Sequence, residues 1–239
     1  MKKIAFVAGL IAIVFVISNC THKPFPVPKV TIINPPTVDT THDSTSNIPD
    51  TSVCFQRDVL PIFIGSCAKP GCHDAITNAE GYNLSTYSSI ISRGLHKYNS
   101  STSKLYTICV SGEMPTYPTP KLDSTLLSFI RRWIDKGAPN DTNCIVYCDT
   151  NKYTFATGVI PIMHKYCYGC HATAVAATSG GSVVLDTYSG VLAQAQNGKL
   201  IGDINHTTGF NYMPLGGAKL SDCQITQIKK WIAAGALNN

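Results

Sequence analysis

The run Cys167-Tyr168-Gly169-Cys170-His171 constrains this chain more than any other feature, because an expanded form of it, Cys67-Ala68-Lys69-Pro70-Gly71-Cys72-His73, lies one hundred positions earlier. Two thiols followed at once by an imidazole is the arrangement that attaches a c-type haem. The sulfurs bond porphyrin vinyl groups, and the histidine reaches the iron. The chain is therefore expected to hold two covalently attached haems, with Cys67, Cys72, Cys167 and Cys170 as attachment sites and His73 and His171 as iron ligands.

The flanks repeat as well. Asp58-Val59-Leu60-Pro61-Ile62-Phe63 aligns with Gly158-Val159-Ile160-Pro161-Ile162-Met163, and Leu84-Ser85-Thr86-Tyr87-Ser88 with Leu185-Asp186-Thr187-Tyr188-Ser189. Further on, each half has a Met-Pro, then Lys121-Leu122 over Lys219-Leu220, then Arg131-Arg132-Trp133-Ile134 over Lys229-Lys230-Trp231-Ile232. Leu122 to Trp133 and Leu220 to Trp231 are both 11 positions. The chain reads as a tandem duplication.

An iron held by one histidine needs a sixth ligand, and a thioether is a soft donor that raises the reduction potential. Met114 and Met213 stand at corresponding places, 41 residues after His73 and 42 after His171, and each precedes a proline. They are the expected sixth ligands. Met163 takes the position of Phe63 in an apolar stripe and is expected to pack.

Other readings of the cysteines stay open at this level. A Cys-x-x-Cys serves as a zinc half-site or a redox disulfide, but zinc needs four ligands and no second pair stands at a suitable spacing. The first run has four residues between its cysteines rather than two, so a Cys67 to Cys72 disulfide is its alternative. His206 and His96 compete with the methionines only weakly, since their positions match poorly between the halves. His164 is expected on the surface, as are His22 and His42.

With these residues in view, both halves resemble cytochrome c domains of the kind found in tandem in bacterial secreted lipoproteins, which open on an Ile-Leu-Pro-Ile-Phe-like stretch and close on Met-Pro, Leu-Ser and Trp-Ile before Gly-Ala. The resemblance covers about residues 53 to 239. It implies His73 and His171 as proximal ligands, Met114 and Met213 as distal ligands, and thioether bonds at Cys67, Cys72, Cys167 and Cys170.

The N-terminus reads as an export signal. Lys2-Lys3 precede an apolar run from Ile4 to Ile17, 14 residues and short for a membrane span. Ile17-Ser18-Asn19-Cys20 resembles a bacterial lipobox, so residues 1–19 are expected to be removed and Cys20 lipidated. An uncleaved anchor and ordinary cleavage nearby are the alternatives. Residues 20–52 are rich in Pro, Thr, Ser and Asp without periodicity and read as a flexible tether; Val30 to Ile33 is too short to be taken as a strand. The expected location is the bacterial cell envelope, lipid-anchored in the outer membrane facing periplasm or exterior.

Two units follow, 53–143 and 144–239. Each is small enough that a protein-only core would be modest, so a buried macrocycle would be structural as well as redox-active. Leu126, Leu127, Ile130, Trp133 and Ile134 share one helix face, as do Ile225, Ile228, Trp231 and Ile232. Asp123 and Ser221 are the expected N-caps, and Gly137 and Gly235 the stops. Val59 to Phe63 and Val159 to Met163 are expected as short helices that tolerate an early proline. The expected fold is all-α, two tandem cytochrome c-like domains joined by long loops.

The formal charge of +5 falls to +3 without Lys2 and Lys3. No basic stripe implies nucleic acid. Arg131-Arg132 and Lys229-Lys230 read first as solvated surface and second as docking sites for redox partners. Ten cysteines point to an oxidising compartment. Setting aside Cys20 and the four motif cysteines leaves Cys54, Cys109, Cys144, Cys148 and Cys223. Cys54 with Cys144 and Cys148 with Cys223 are the preferred bridges among three possible pairings, and Cys109 is a buried thiol or an intermolecular partner.

The function expected is single-electron transfer between redox proteins outside the inner membrane, with the protein anchored to the membrane by lipid. No catalytic residue is assigned, because no general base or nucleophile has a positioned partner. A dihaem peroxidase-like enzyme and a haem-stabilised structural adaptor are the alternatives.

Overall fold

Each half of the chain ends in apolar residues at helical spacing, and both stretches fold as the sequence predicts. The computed structural model describes residues 53–142 and 148–239. The signal segment, the tether with Cys20 and the Val30 to Ile33 segment, and Cys144 lie outside them.

The first half contains α1 (Leu60–Ser66), α2 (Tyr87–Ile91), α3 (Lys104–Val110) and α4 (Ser124–Asp135). The second contains α5 (Ile160–Tyr166), the single turns α6 (Tyr168–His171) and α7 (Ala176–Ser179), then α8 (Tyr188–Gln196), α9 (Lys199–Ile204) and α10 (Asp222–Ala233). The described residues contain no strand, so the all-α expectation stands at the level of helix content. A wide turn, Phe55–Val59 or Phe155–Val159, leads into α1 and α5. Pro61 and Pro161 sit in the first turns of these helices, where no backbone donor is lost.

α4 and α10 begin and end alike. Asp123 accepts from the Leu126 amide, and Ser221 forms a capping box with Gln224. At the other end Ala138 N donates to Trp133 O and Gly137 N to Ile134 O, at 2.9 and 2.8 Å. Ala236 N to Trp231 O and Gly235 N to Ile232 O repeat the pattern at 2.9 and 3.0 Å. This is a Schellman stop, and it requires the left-handed backbone that Gly137 (φ +97) and Gly235 (φ +95) supply.

Each half owns a hydrophobic core. In the first, the Phe55 ring meets Tyr87 edge-on at 5.1 Å and Trp133 at 5.0 Å. In the second, Phe155 meets Tyr188 at 5.1 Å and Trp231 at 5.5 Å. Both tryptophans are buried and donate Nε1 to the carbonyl six residues on, Pro139 at 2.9 Å and Leu237 at 2.8 Å. Tyr87 and Tyr188 each donate to the alanine carbonyl after the Schellman turn, Ala138 or Ala236, at 2.8 Å. An apolar ring with one polar edge is buried cheaply when that edge finds a carbonyl. Met163 is fully buried in the second core, as expected of a packing residue.

The halves also pack on one another, with α1 against α5 and α6. Buried Asp58 sits in this contact. It accepts from Arg57 at 2.7 Å, from the Cys54 amide at 3.0 Å and, across the contact, from Lys165 at 3.0 Å. Burial works to raise its pKa, but the Arg57 hydrogen bonds, the Lys165 charge and the amide together hold the carboxyl below the ordinary range. Tyr166 donates to the Arg57 carbonyl at 3.3 Å. His164, expected on the surface, is half-buried because its helix lies in this contact: its ring lies 5.1 Å from that of Tyr168, and Nε2 is 3.5 Å from Asp123 of the first half.

Cys148 and Cys223 are joined, as the spacing predicts, tying the start of the second half to α10. Cys54 is disulfide-bonded too; its expected partner Cys144 is outside the described residues. Among the described residues no helix is long and apolar enough to cross a membrane.

Candidate functional site

α1 and α5 deliver the two cysteine runs. Cys67 N donates to Phe63 O at 2.9 Å, and Cys167 N to Met163 O at 2.8 Å, so each first cysteine closes its helix. The histidine amide then returns to that cysteine's carbonyl, His73 to Cys67 at 3.1 Å and His171 to Cys167 at 2.8 Å. The two loops differ in length, yet both histidines are carried back over the first cysteine. In the first half the two extra residues are absorbed in a turn that Cys72 N closes on Lys69 O at 2.9 Å.

Both imidazoles are oriented in the same way. His73 Nδ1 lies 3.2 Å from Ala79 O and 3.1 Å from Tyr82 O, and His171 Nδ1 lies 3.0 Å from Val183 O. A carbonyl oxygen only accepts, so Nδ1 carries a proton, and in the neutral ring the lone pair is on Nε2. That is how a metal-binding histidine is fixed in tautomer and direction. Leu84 N donates to His73 O and Leu185 N to His171 O, both at 2.8 Å, so the repeated Leu-x-Thr-Tyr segment braces each histidine's backbone.

In the first half the four expected residues converge. Cys67, Cys72, His73 and Met114 line one cavity of about 240 Å³, whose apolar wall includes Phe63, Leu84, Leu105 and Ile108. Met114 is partly buried against the first core, and its amide donates to Ile108 O at 3.1 Å. The chemistry of these donors fits a haem: two thiols, a ring nitrogen, a thioether and a largely apolar wall. Cys109, the odd cysteine by count, is a buried free thiol lining the same cavity. Among the described residues no three His, Cys, Asp or Glu side chains gather to hold a metal ion by themselves.

In the second half Met213 is half-buried on the loop after α9, its amide donating to Asp203 O at 3.1 Å. His206 stacks on Tyr212 at 4.7 Å and places Nε2 3.1 Å from the Met213 carbonyl, so that nitrogen is engaged by backbone. His96 is exposed, with Nδ1 3.0 Å from Thr102 Oγ1. Both behave as loop histidines.

The motif cysteines are free thiols, not a Cys67–Cys72 bridge. Burial pushes Cys67 far up and Cys167 up to about 12, and it raises Cys170 as well. Burial also lifts Cys109, to about 11.

No family model, curated protein or solved structure matches this chain. The reading of the site rests on its own residues.

Sequence reasoning missed the backbone carbonyls of Ala79, Tyr82 and Val183, which carry no side-chain signal. It also missed Lys69, which lies inside the first motif but reads as an ordinary loop lysine.

Proposed function

We propose that this protein is a dihaem c-type cytochrome, built from two tandem cytochrome c-like domains, which passes single electrons between redox partners in the bacterial cell envelope. The observation that carries the reading is the convergence of Cys67, Cys72, His73 and Met114 on one apolar cavity, with His73 Nδ1 tied to carbonyls and Nε2 left with its lone pair. The matching restraint on His171 extends it to the second half.

A covalently attached haem supplies a one-electron iron couple at each site. The chain's own residues do the rest. Cys67 with Cys72, and Cys167 with Cys170, offer sulfur at one rim. His73 and His171 present Nε2, and the hydrogen bond at Nδ1 strengthens that nitrogen as a donor. Met114 and Met213 offer a thioether, and in the first half the largely apolar wall of the cavity would shield the metal position. With a histidine and a methionine both held by the metal, each site would be suited to outer-sphere transfer, and no residue is assigned a catalytic role. Lipid at Cys20, with residues 20–52 as tether, would hold the domains at the membrane, on the outer-membrane side facing periplasm or exterior.

The test of the ligand set is optical. In protein produced with a haem-attachment system, Met114→Ala and Met213→Ala should each abolish the thioether-to-iron charge-transfer band of one haem and lower its potential, while His206→Ala leaves both unchanged. Loss of the band in His206→Ala with Met213→Ala silent would overturn the assignment. Rapid stoichiometric carbon monoxide binding to the reduced wild type would point instead to an enzyme with an open iron.

A further inference from the structure

The two cysteine motifs meet each other inside the molecule. Gly169, between Cys167 and Cys170, lies against the end of α1: a Cβ built there would stand 1.7 Å from Gly65 O and 2.9 Å from Ser66 Cα. Cys170 Sγ is 3.8 Å from the same Gly65 carbonyl.

Lys69 spans this contact. It is 5% exposed, and Nζ donates to Gly169 O at 2.9 Å and to Thr119 Oγ1 at 2.6 Å. One side chain thus joins the first motif, the loop that follows Met114, and the second motif. Lys69 and Gly169 lie one hundred positions apart in the chain. The side chain has no carboxylate partner among the described residues. Taking an ammonium out of water without a counter-charge is costly, so a buried cation between two candidate redox sites calls for a reason.

We infer that Lys69 is a cation shared by the two haem-attachment motifs, a positioning residue that locks the two turns together and makes their sites an electrostatically linked pair. The longer first loop then has a purpose, since its extra residues carry Lys69 into the second motif. The inference rests on the haem reading. Reduction adds negative charge, so a shared buried cation favours it at both sites.

The experiment uses the full chain loaded by a haem-attachment system, with haem content checked by denatured intact mass. Fewer than two haems per chain overturns the haem reading and this inference with it. In two-haem protein, spectroelectrochemical titration of Lys69→Met should show both midpoint potentials lowered, each by about tenfold in its reduction equilibrium or about 59 mV, while Lys69→Arg stays near wild type. A shift at one site only, at neither, or equally in Lys69→Arg overturns the inference and leaves the haem reading standing. Should Lys69→Met fail to load, the wild type decides. Two haems held at contacting turns should give a two-signed Soret circular dichroism band, and a single-signed band contradicts the shared contact.

Discussion

The two halves of this molecule share the same aromatic cluster at the centre of their cores and differ where their cysteine motifs meet. Phe55, Tyr87 and Trp133 in one, and Phe155, Tyr188 and Trp231 in the other, make the same ring contacts and give their polar edges to the same carbonyls. The first motif has a six-residue span from Cys67 to Cys72 and contributes a lysine; the second has a tight turn and contributes a glycine. The difference teaches that the core fixes where each histidine stands, and that the loops are free to diverge toward a joint between the halves.

The largest expected effect falls on that joint. Gly169→Ala puts a methyl group into the Gly65 backbone, where nothing flexible can yield, so it should destabilise by more than about 4 kcal/mol. Gly71→Ala in the first loop meets no atom within 4 Å and bears only the cost of its left-handed backbone at φ +83, about 1–2 kcal/mol. Chemical denaturation of both variants checks the contrast. Similar losses would show that the two loops are not in the different environments described.

Next in size is the ion pair across the contact. Asp58→Asn should cost about 3 kcal/mol, the low end for breaking a buried pair, because Arg57 and Lys165 keep some contact with water. The folded carboxyl has a lowered pKa. Its contribution is therefore complete above the unfolded value of about 3.9 and is lost as pH falls through the lower folded value. Thermal melts between neutral and acid pH should show a smaller acid loss in Asp58→Asn than in wild type, and an unchanged acid slope would remove Asp58 from the account. Gly158 stands at the corresponding place, so no matching effect arises in the second half.

The smallest effect compares the terminal helices. Asp123→Ala and Ser221→Ala each remove one side-chain cap and should each cost about 1 kcal/mol. Denaturant midpoints that differ widely between the two would break the equivalence of α4 and α10.

Much of this fold was legible because the duplication doubles every local signal. The 3.6-residue spacing around Trp133 and Trp231, the caps at Asp123 and Ser221, and the stops at Gly137 and Gly235 act within one helix, so sequence alone exposes them. The Cys148–Cys223 bridge was reachable by counting. The pairing of the halves was not. Asp58 to Lys165 and Lys69 to Gly169 join residues about a hundred positions apart, and neither partner carries a mark of the other. His164 was misplaced on the surface for the same reason. The restraint on each histidine was hidden because it comes from backbone carbonyls, which every residue possesses.

The central claim is that both cysteine motifs hold haem despite their different spans, and covalent stoichiometry tests it most directly. Full-length chain produced with a haem-attachment system should show two haems by denatured intact mass. It should show one when Cys167 and Cys170 are both changed to Ser, and one when Cys67 and Cys72 are. A wild type with no covalent haem, or with a single haem lost entirely on changing Cys167 and Cys170, would contradict the account.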